Sequence, residues 1–372
     1  MVEQEIFQGK ECYKNIEKIL LSKNVKRYML VCGHSTNRLP VKKYLENLNI
    51  PFTQFSSFTP NPLYESIVSG VELLKRDACD FIIAIGGGSA IDVAKCIKLY
   101  ATLPNNVLFL NQVVMPNTIK LLAMPTTAGT GSESTKFAVI YYNGEKQSVY
   151  DDSIVPKYVI LDSSVLKTLP LYQKKATLLD ALCQAIESMW SVNSNDESDV
   201  LASAAIKLIV HYRKQYLNDA TQVANEKIML AANLAGRAIN ITQTTSAHAM
   251  SYKLTSIYGF AHGHAVALCL PRIWNYMLLN SDNCNDERGK EYIKSIFDRI
   301  GKLLGGDNAA EGIVEFDNIL NEFGMDRPII NEKELDMLVN AVNTTRLRNN
   351  PIALDEKAIR EIYCNISSKA LI

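Results

Sequence analysis

Three of the five histidines in this 372-residue chain, His248, His262 and His264, fall within seventeen residues, in "SAHAMSYKLTSIYGFAHGHAVALCLP". A single histidine in a helix is ordinarily a packing or surface residue. Two imidazoles that meet a carboxylate, however, are the smallest donor set for a divalent metal ion with open coordination positions. The carboxylate at hand is Asp180 in "DALCQAIESMW", where Gln184 follows four residues later on the same face of the expected helix. The other reading of that stretch is an ordinary helix carrying polar residues.

Two glycine-rich loops supply a second chemistry. In "FIIAIGGGSAIDVAKCI" an apolar strand runs into Gly86, Gly87, Gly88 and Ser89 and then a helix. Glycine lets backbone N–H groups approach an anion, and a helix N-terminus adds partial positive charge, so the turn could cradle a pyrophosphate. It matches neither the G-x-G-x-x-G fingerprint nor a Walker loop. It also reads as a tight turn closed by a capping box between Ser89 and Asp92. The stretch "MPTTAGTGSESTK" places hydroxyls and glycines behind another apolar strand. Two such loops at strand ends in one α/β domain favour the nucleotide reading.

The elements that must position these residues change character along the chain. Up to about residue 165, apolar runs such as "RYMLVCG", "IKLLAMPTT" and "YVILD" alternate with helical patterns, as in a parallel sheet between helix layers. From Leu171 the periodicity is helical throughout. The expected organisation is α/β followed by all-α, 1–166 and 167–372, with the break near Pro170 and a site in the cleft between the domains. Lys+Arg and Asp+Glu both total 39, which argues against a nucleic-acid partner. Eight cysteines lie scattered without a CxxC pair and read as reduced thiols. With no signal-peptide pattern and no membrane-spanning apolar run, a cytoplasmic protein without a membrane partner is expected. A homodimer stays open as its assembly.

"GGGSAIDVAK", "PTTAGTGSE", "DALCQAIES" and the His248-to-His262 segment, in this order, resemble the iron-containing (group III) alcohol dehydrogenases over nearly the whole chain. The resemblance implies an N-terminal Rossmann-like dinucleotide-binding domain and a C-terminal helical metal-binding domain, the dehydroquinate synthase-like fold. It implies metal ligands at Asp180, Gln184, His248 and His262, where Gln184 departs from the family's usual histidine. An amide oxygen is a weaker ligand, so Gln184 either coordinates or leaves its position to water, as in the related zinc-using glycerol dehydrogenases; the ion is Fe2+ or Zn2+, and a metal-free site stays open. Implied cofactor residues are Asn61, Gly87, Gly88, Ser89, Asp92, Thr126, Thr127, Thr130, Thr135 and Lys146. Gly33 stands where members that prefer NADH often place an aspartate, which leans toward NADPH.

Within the family the wording is most similar to the phosphonoacetaldehyde reductase branch, which implies reduction of phosphonoacetaldehyde to 2-hydroxyethylphosphonate. A phosphonate needs fixed cations. Arg237 and Lys253 are the first candidates, Arg272 and Lys136 the next, and each alone also reads as a solvated charge. Hydride transfer to an aldehyde on a Lewis-acidic metal would need a proton, from Tyr252 or His264. Three alternatives remain: a general short-chain alcohol dehydrogenase of the same family, a dehydroquinate-synthase-like enzyme, and a non-catalytic nucleotide-binding relative.

Overall fold

A strand covered on both faces has no reason to alternate polar with apolar residues, and "YMLVC" and "FIIAIG" do not. Every residue of β2 (Tyr28–Cys32) and β4 (Phe81–Gly86) is buried. With β1 (Glu5–Gln8), β3 (Phe52–Phe55), β5 (Lys120–Pro125) and β8 (Tyr158–Leu161) they form a six-stranded sheet in the order β1-β8-β5-β4-β2-β3. All paired neighbours are parallel. Parallel neighbours need crossover connections, and α1 (Asn15–Ser22), α2 (Pro40–Glu46), α3 (Tyr64–Arg76) and α4 (Gly88–Tyr100) lie between successive strands. The structure, a computed structural model, describes residues 3–342 and 344–368, without the side chains of 344–346.

The sheet register decides which loops become neighbours. Cys32 pairs with Ile85, and Gly86 with Pro125, so the carboxyl ends of β2, β4 and β5 lie side by side. That is where open α/β sheets bind nucleotides. An antiparallel hairpin follows, β6 (Phe137–Tyr142) and β7 (Glu145–Tyr150). Apolar runs alone do not reveal it. Its signal is the Asn143-Gly144 pair, whose φ values of 51° and 78° suit a two-residue hairpin turn.

The chain divides into two compact units, Met1–Leu169 and Pro170–Ile372. The second is helical: α5 (Leu171–Trp190), α6 (Asp196–Asn218), α7 (Gln222–Thr242), α8 (Ser246–Tyr258), α9 (His262–Leu279), α10 (Lys290–Leu304), α11 (Ala309–Glu322), α12 (Glu332–Asn340) and α13 (Glu356–Ile366). At its centre α5 is buried at every position from Leu178 to Trp190, as expected of a helix enclosed by others. Trp190 closes that run in a ring cluster with Trp274 of α9 and Phe297 of α10, centroids 6.1–6.4 Å apart. No described helix is long and apolar enough to cross a membrane.

Candidate active site

In the first unit the two glycine-rich loops form one surface. Thr126 donates its N–H to Gly86 O at 2.9 Å. A Cβ on Gly88 would lie 3.0 Å from the Thr130 methyl, and one on Gly87 would lie 3.6 Å from Thr127, so the glycines allow the loops to meet. Helix α4 starts from Gly87 with no side-chain cap. The capping box between Ser89 and Asp92 is therefore not formed, and the N–H groups of Gly88 and Ser89 stay available to an anion while those of Ala90 and Ile91 close on Gly87 O. Asp92 instead accepts from Ser132 Oγ (2.7 Å) and from the Val139 N–H (3.0 Å).

A residue that the motifs did not single out holds this loop. Lys95 is fully buried, and its ammonium donates to Ser132 Oγ (3.1 Å), Thr135 Oγ1 (3.0 Å) and Phe137 O (2.8 Å). Burial lowers its pKa to about 8 against the pull of Asp92 and Glu133. Thr135 is thus engaged within the protein. Asn61 has a φ of 58°. The next residue, Pro62, accepts from the N–H of Tyr141, which pairs in the hairpin with Lys146. Gly33 precedes a short 3-10 turn, and a Cβ there would meet nothing within 4 Å.

In the second unit α5 carries Asp180, Gln184 and Glu187 at one-turn spacings along one face. Asp180 Oδ1 lies 3.3 Å from His248 Nε2 and 3.9 Å from His262 Nε2. The ligand atoms of the three residues all fall within 4.8 Å of one another. Both Asp180 Oδ1 and His248 Nε2 are buried without a hydrogen-bond partner. A buried polar atom left unsatisfied costs about 1–3 kcal/mol, and one shared cation would satisfy both. Donors bound tetrahedrally at ~2.1 Å stand about 3.4 Å apart. The residues present therefore fit a divalent metal.

The electrostatics agree. Burial pushes the Asp180 carboxyl up, but His248, His262 and a hydrogen bond from Gln184 outweigh it and hold the group below its ordinary value. Burial likewise disfavours the His248 imidazolium, yet Glu187 and Asp180 overcome this and raise its pKa to about 9. A metal ion and a proton would compete for Nε2.

The other expected residues separate by their contacts. Tyr252, one helical turn after His248, has its ring parallel to that of His262 at 5.8 Å. His264 is buried, and burial keeps it neutral by lowering its pKa. Its Nε2 donates to Asp326 O at 2.9 Å, and its Nδ1 accepts from the Tyr172 hydroxyl at 3.0 Å. Both ring nitrogens are engaged, and the hydroxyl in turn accepts the Ala261 N–H next to His262. Arg272 is held by both Asp317 oxygens at 2.7 and 3.0 Å. Lys136 lies 3.2 Å from Asp152. Arg237 and Lys253 are half-buried.

Comparison with known proteins turns this geometry into a family assignment. Residues 3–163 match the model described as iron-containing alcohol dehydrogenase, and residues 174–367 match the C-terminal domain of the Fe-containing alcohol dehydrogenase family. The chain belongs to the iron-containing alcohol dehydrogenases. It is 30% identical over 309 residues to a phosphonoacetaldehyde reductase of Streptomyces viridochromogenes, covering 79% of this chain and 78% of that one. It is 28% identical to an NADPH-dependent butanol dehydrogenase of Clostridium saccharobutylicum, covering 97% and 95%. A sulfoacetaldehyde reductase of Bifidobacterium kashiwanohense, solved in complex with NAD+, superposes with a TM-score of 0.88 at 25% identity, covering 98% of this chain and 97% of that one.

As a member of this family the chain is an oxidoreductase of the alcohol dehydrogenase type, using a nicotinamide dinucleotide and a metal. Besides Lys95, the motifs left Glu187 unremarked, although it is fully buried and bonded to the Nδ1 of His248. The one signal for it was its place two turns after Asp180 on the same face of that helix.

Gly263 sets the approach of His262. A Cβ there would lie 2.0 Å from Ala176 O and 2.7 Å from Asp180 Cβ. Neither neighbour is the end of a flexible side chain, so α9 would have to move. Gly263→Ala is therefore expected to destabilise the protein by about 1–3 kcal/mol and to weaken zinc binding by drawing His262 away from Asp180. A thermal melt alongside a chelator-competition titration checks this; unchanged zinc affinity would contradict it.

Proposed function

We propose that the chain reduces a short aldehyde ending in a phosphonate to the corresponding primary alcohol, with NADPH as the reductant, and that phosphonoacetaldehyde is the substrate. The observation that carries the anionic substrate is the state of Arg237 and Lys253. Both are half-buried, and neither side chain has a hydrogen bond or ion pair to another described residue. A partly desolvated cation is costly unless an anion meets it, and a phosphonate would do so. Two of the similar proteins are named as reductases of phosphonoacetaldehyde and sulfoacetaldehyde, both short aldehydes with an anionic end. The NADPH preference rests on the open space at Gly33 and on Arg38, an exposed guanidinium in the turn that follows β2, because an arginine near this point accommodates a 2′-phosphate.

Asp180, His248 and His262 would hold the metal, Fe2+ or Zn2+, with Gln184 beside them. When bound, the metal supplies Lewis acidity at the carbonyl oxygen and the dinucleotide supplies the hydride. Arg237 and Lys253 orient the substrate through its anionic end. Tyr252 donates its phenolic proton to the alkoxide oxygen, and solvent restores it. His264 braces the start of α9 through Tyr172. The net reaction takes up one proton for each dinucleotide oxidised.

The test is NADPH and NADH oxidation with phosphonoacetaldehyde, sulfoacetaldehyde and butanal, using metal-stripped enzyme restored with iron or zinc. The expected result is a kcat/KM for phosphonoacetaldehyde with NADPH well above that for butanal, lost in Arg237→Gln. Equal values for charged and neutral aldehydes would favour a general short-chain alcohol dehydrogenase, the activity named for the butanol dehydrogenase relative. Tyr252→Phe should lower kcat about 100-fold, the scale of one general acid, with metal content intact. Unchanged turnover would remove Tyr252 from the mechanism.

A further inference from the structure

Glu187 is fully buried in α5, two turns after Asp180. Its two oxygens do different things. Oε1 accepts four hydrogen bonds, from the Thr245 N–H (3.2 Å), the Thr245 hydroxyl (2.8 Å), the Ala247 N–H (2.9 Å) and the His248 N–H (3.3 Å). These are donors at the start of α8, whose N-cap residue Thr245 makes no side-chain cap of its own. Oε2 faces the Nδ1 of His248. One carboxylate thus caps the helix that carries a metal ligand and also holds that ligand's ring.

We infer that Glu187 is the positioning residue that makes His248 a metal ligand, by fixing which ring nitrogen carries the proton. A carboxylate oxygen only accepts, so Nδ1 must hold a hydrogen and donate it to Oε2. In the neutral ring Nε2 is then left with its lone pair toward Asp180, 3.3 Å away. Metal-binding histidines commonly have their second nitrogen fixed in this way. The charge also matters. Asp180 is the one charged donor in the candidate set, Gln184 being neutral, and Glu187 adds a second buried negative charge behind His248 to balance a dication.

The inference rests on the reading of Asp180, His248 and His262 as a metal site. It makes an unusual demand on the isosteric variant Glu187→Gln. The four donors at Oε1 require an acceptor, so the amide oxygen must sit there and the NH2 must face Nδ1. Nδ1 then becomes the acceptor, the neutral ring carries its hydrogen on Nε2, and coordination is blocked, while the shape and the helix cap are kept.

The experiment measures zinc dissociation constants by chelator competition for the parent and E187Q, with thermal melts and NADPH fluorescence titrations on both, and 15N spectra of the histidine rings without metal, recorded well above pH 9 where the His248 ring is neutral. E187Q is expected to fold and to bind NADPH like the parent, to weaken zinc about 10–100-fold, and to move the His248 proton from Nδ1 to Nε2. A zinc constant within about threefold of the parent's would overturn the inference. So would an unchanged ring tautomer. A parent that binds no zinc would contradict the metal-site reading itself, which keeps the two failures distinct. Should E187Q not fold, Glu187→Asp is read in its place: its shorter carboxylate cannot reach both the cap and Nδ1, so zinc must weaken, and parent-like affinity overturns the inference.

Discussion

The unbroken burial of α5 from Leu178 to Trp190 governs the second unit. A polar side chain on an enclosed helix must find its partners in neighbouring helices or leave a costly unsatisfied group. Glu187 finds them at the start of α8. Asp180 finds two imidazoles, one in the first turn of α8 and one at the first residue of α9. Both helix starts are thus drawn to one polar stripe. Gly263 lets α9 come near enough, and the Tyr172–His264 pair holds the entry to that helix. What remains unsatisfied is Asp180 Oδ1 against His248 Nε2, and one shared cation would satisfy both.

In the first unit the corresponding constraint is sheet register. Because β4 lies between β2 and β5, their three following turns are neighbours whatever their sequences. Glycine at Gly87 and Gly88 then lets the loops touch, and the uncapped start of α4 keeps donors for an anion. Lys95 stiffens the arrangement from below. Its three hydrogen bonds reach Ser132, Thr135 and Phe137, while Asp92 takes Ser132 and Val139, so the second loop is tied to α4 at several points.

Much of this was legible in the sequence. The apolar runs disclosed the central strands because burial on both faces removes alternation, and the texture change near Pro170 lies beside the division between the units. Asp180, His248 and His262 stood out through residue type and spacing, and the structure brings them together. His264 was read as an alternative proton donor, but two residues along a helix point to different faces, and its Nε2 turns toward Asp326 O. Glu187 was harder to see. A glutamate in a helix reads as a solvated charge until burial is known, and its partners lie some sixty residues further on. Lys95 was hidden for the same reason, with acceptors about forty residues away. The β6–β7 hairpin does have a local signal, Asn143-Gly144, which lies outside the pattern of apolar runs.

The central claim is that a buried polar stripe on α5 builds a metal centre from Asp180, His248 and His262. The most direct measurement is X-ray absorption at the metal edge of the protein as purified. The account predicts stoichiometric metal whose scattering fits two imidazoles and otherwise oxygen donors at about 2.0–2.2 Å. A protein without metal, or one whose nearest shell contains sulfur at about 2.3 Å or only one imidazole, would contradict it.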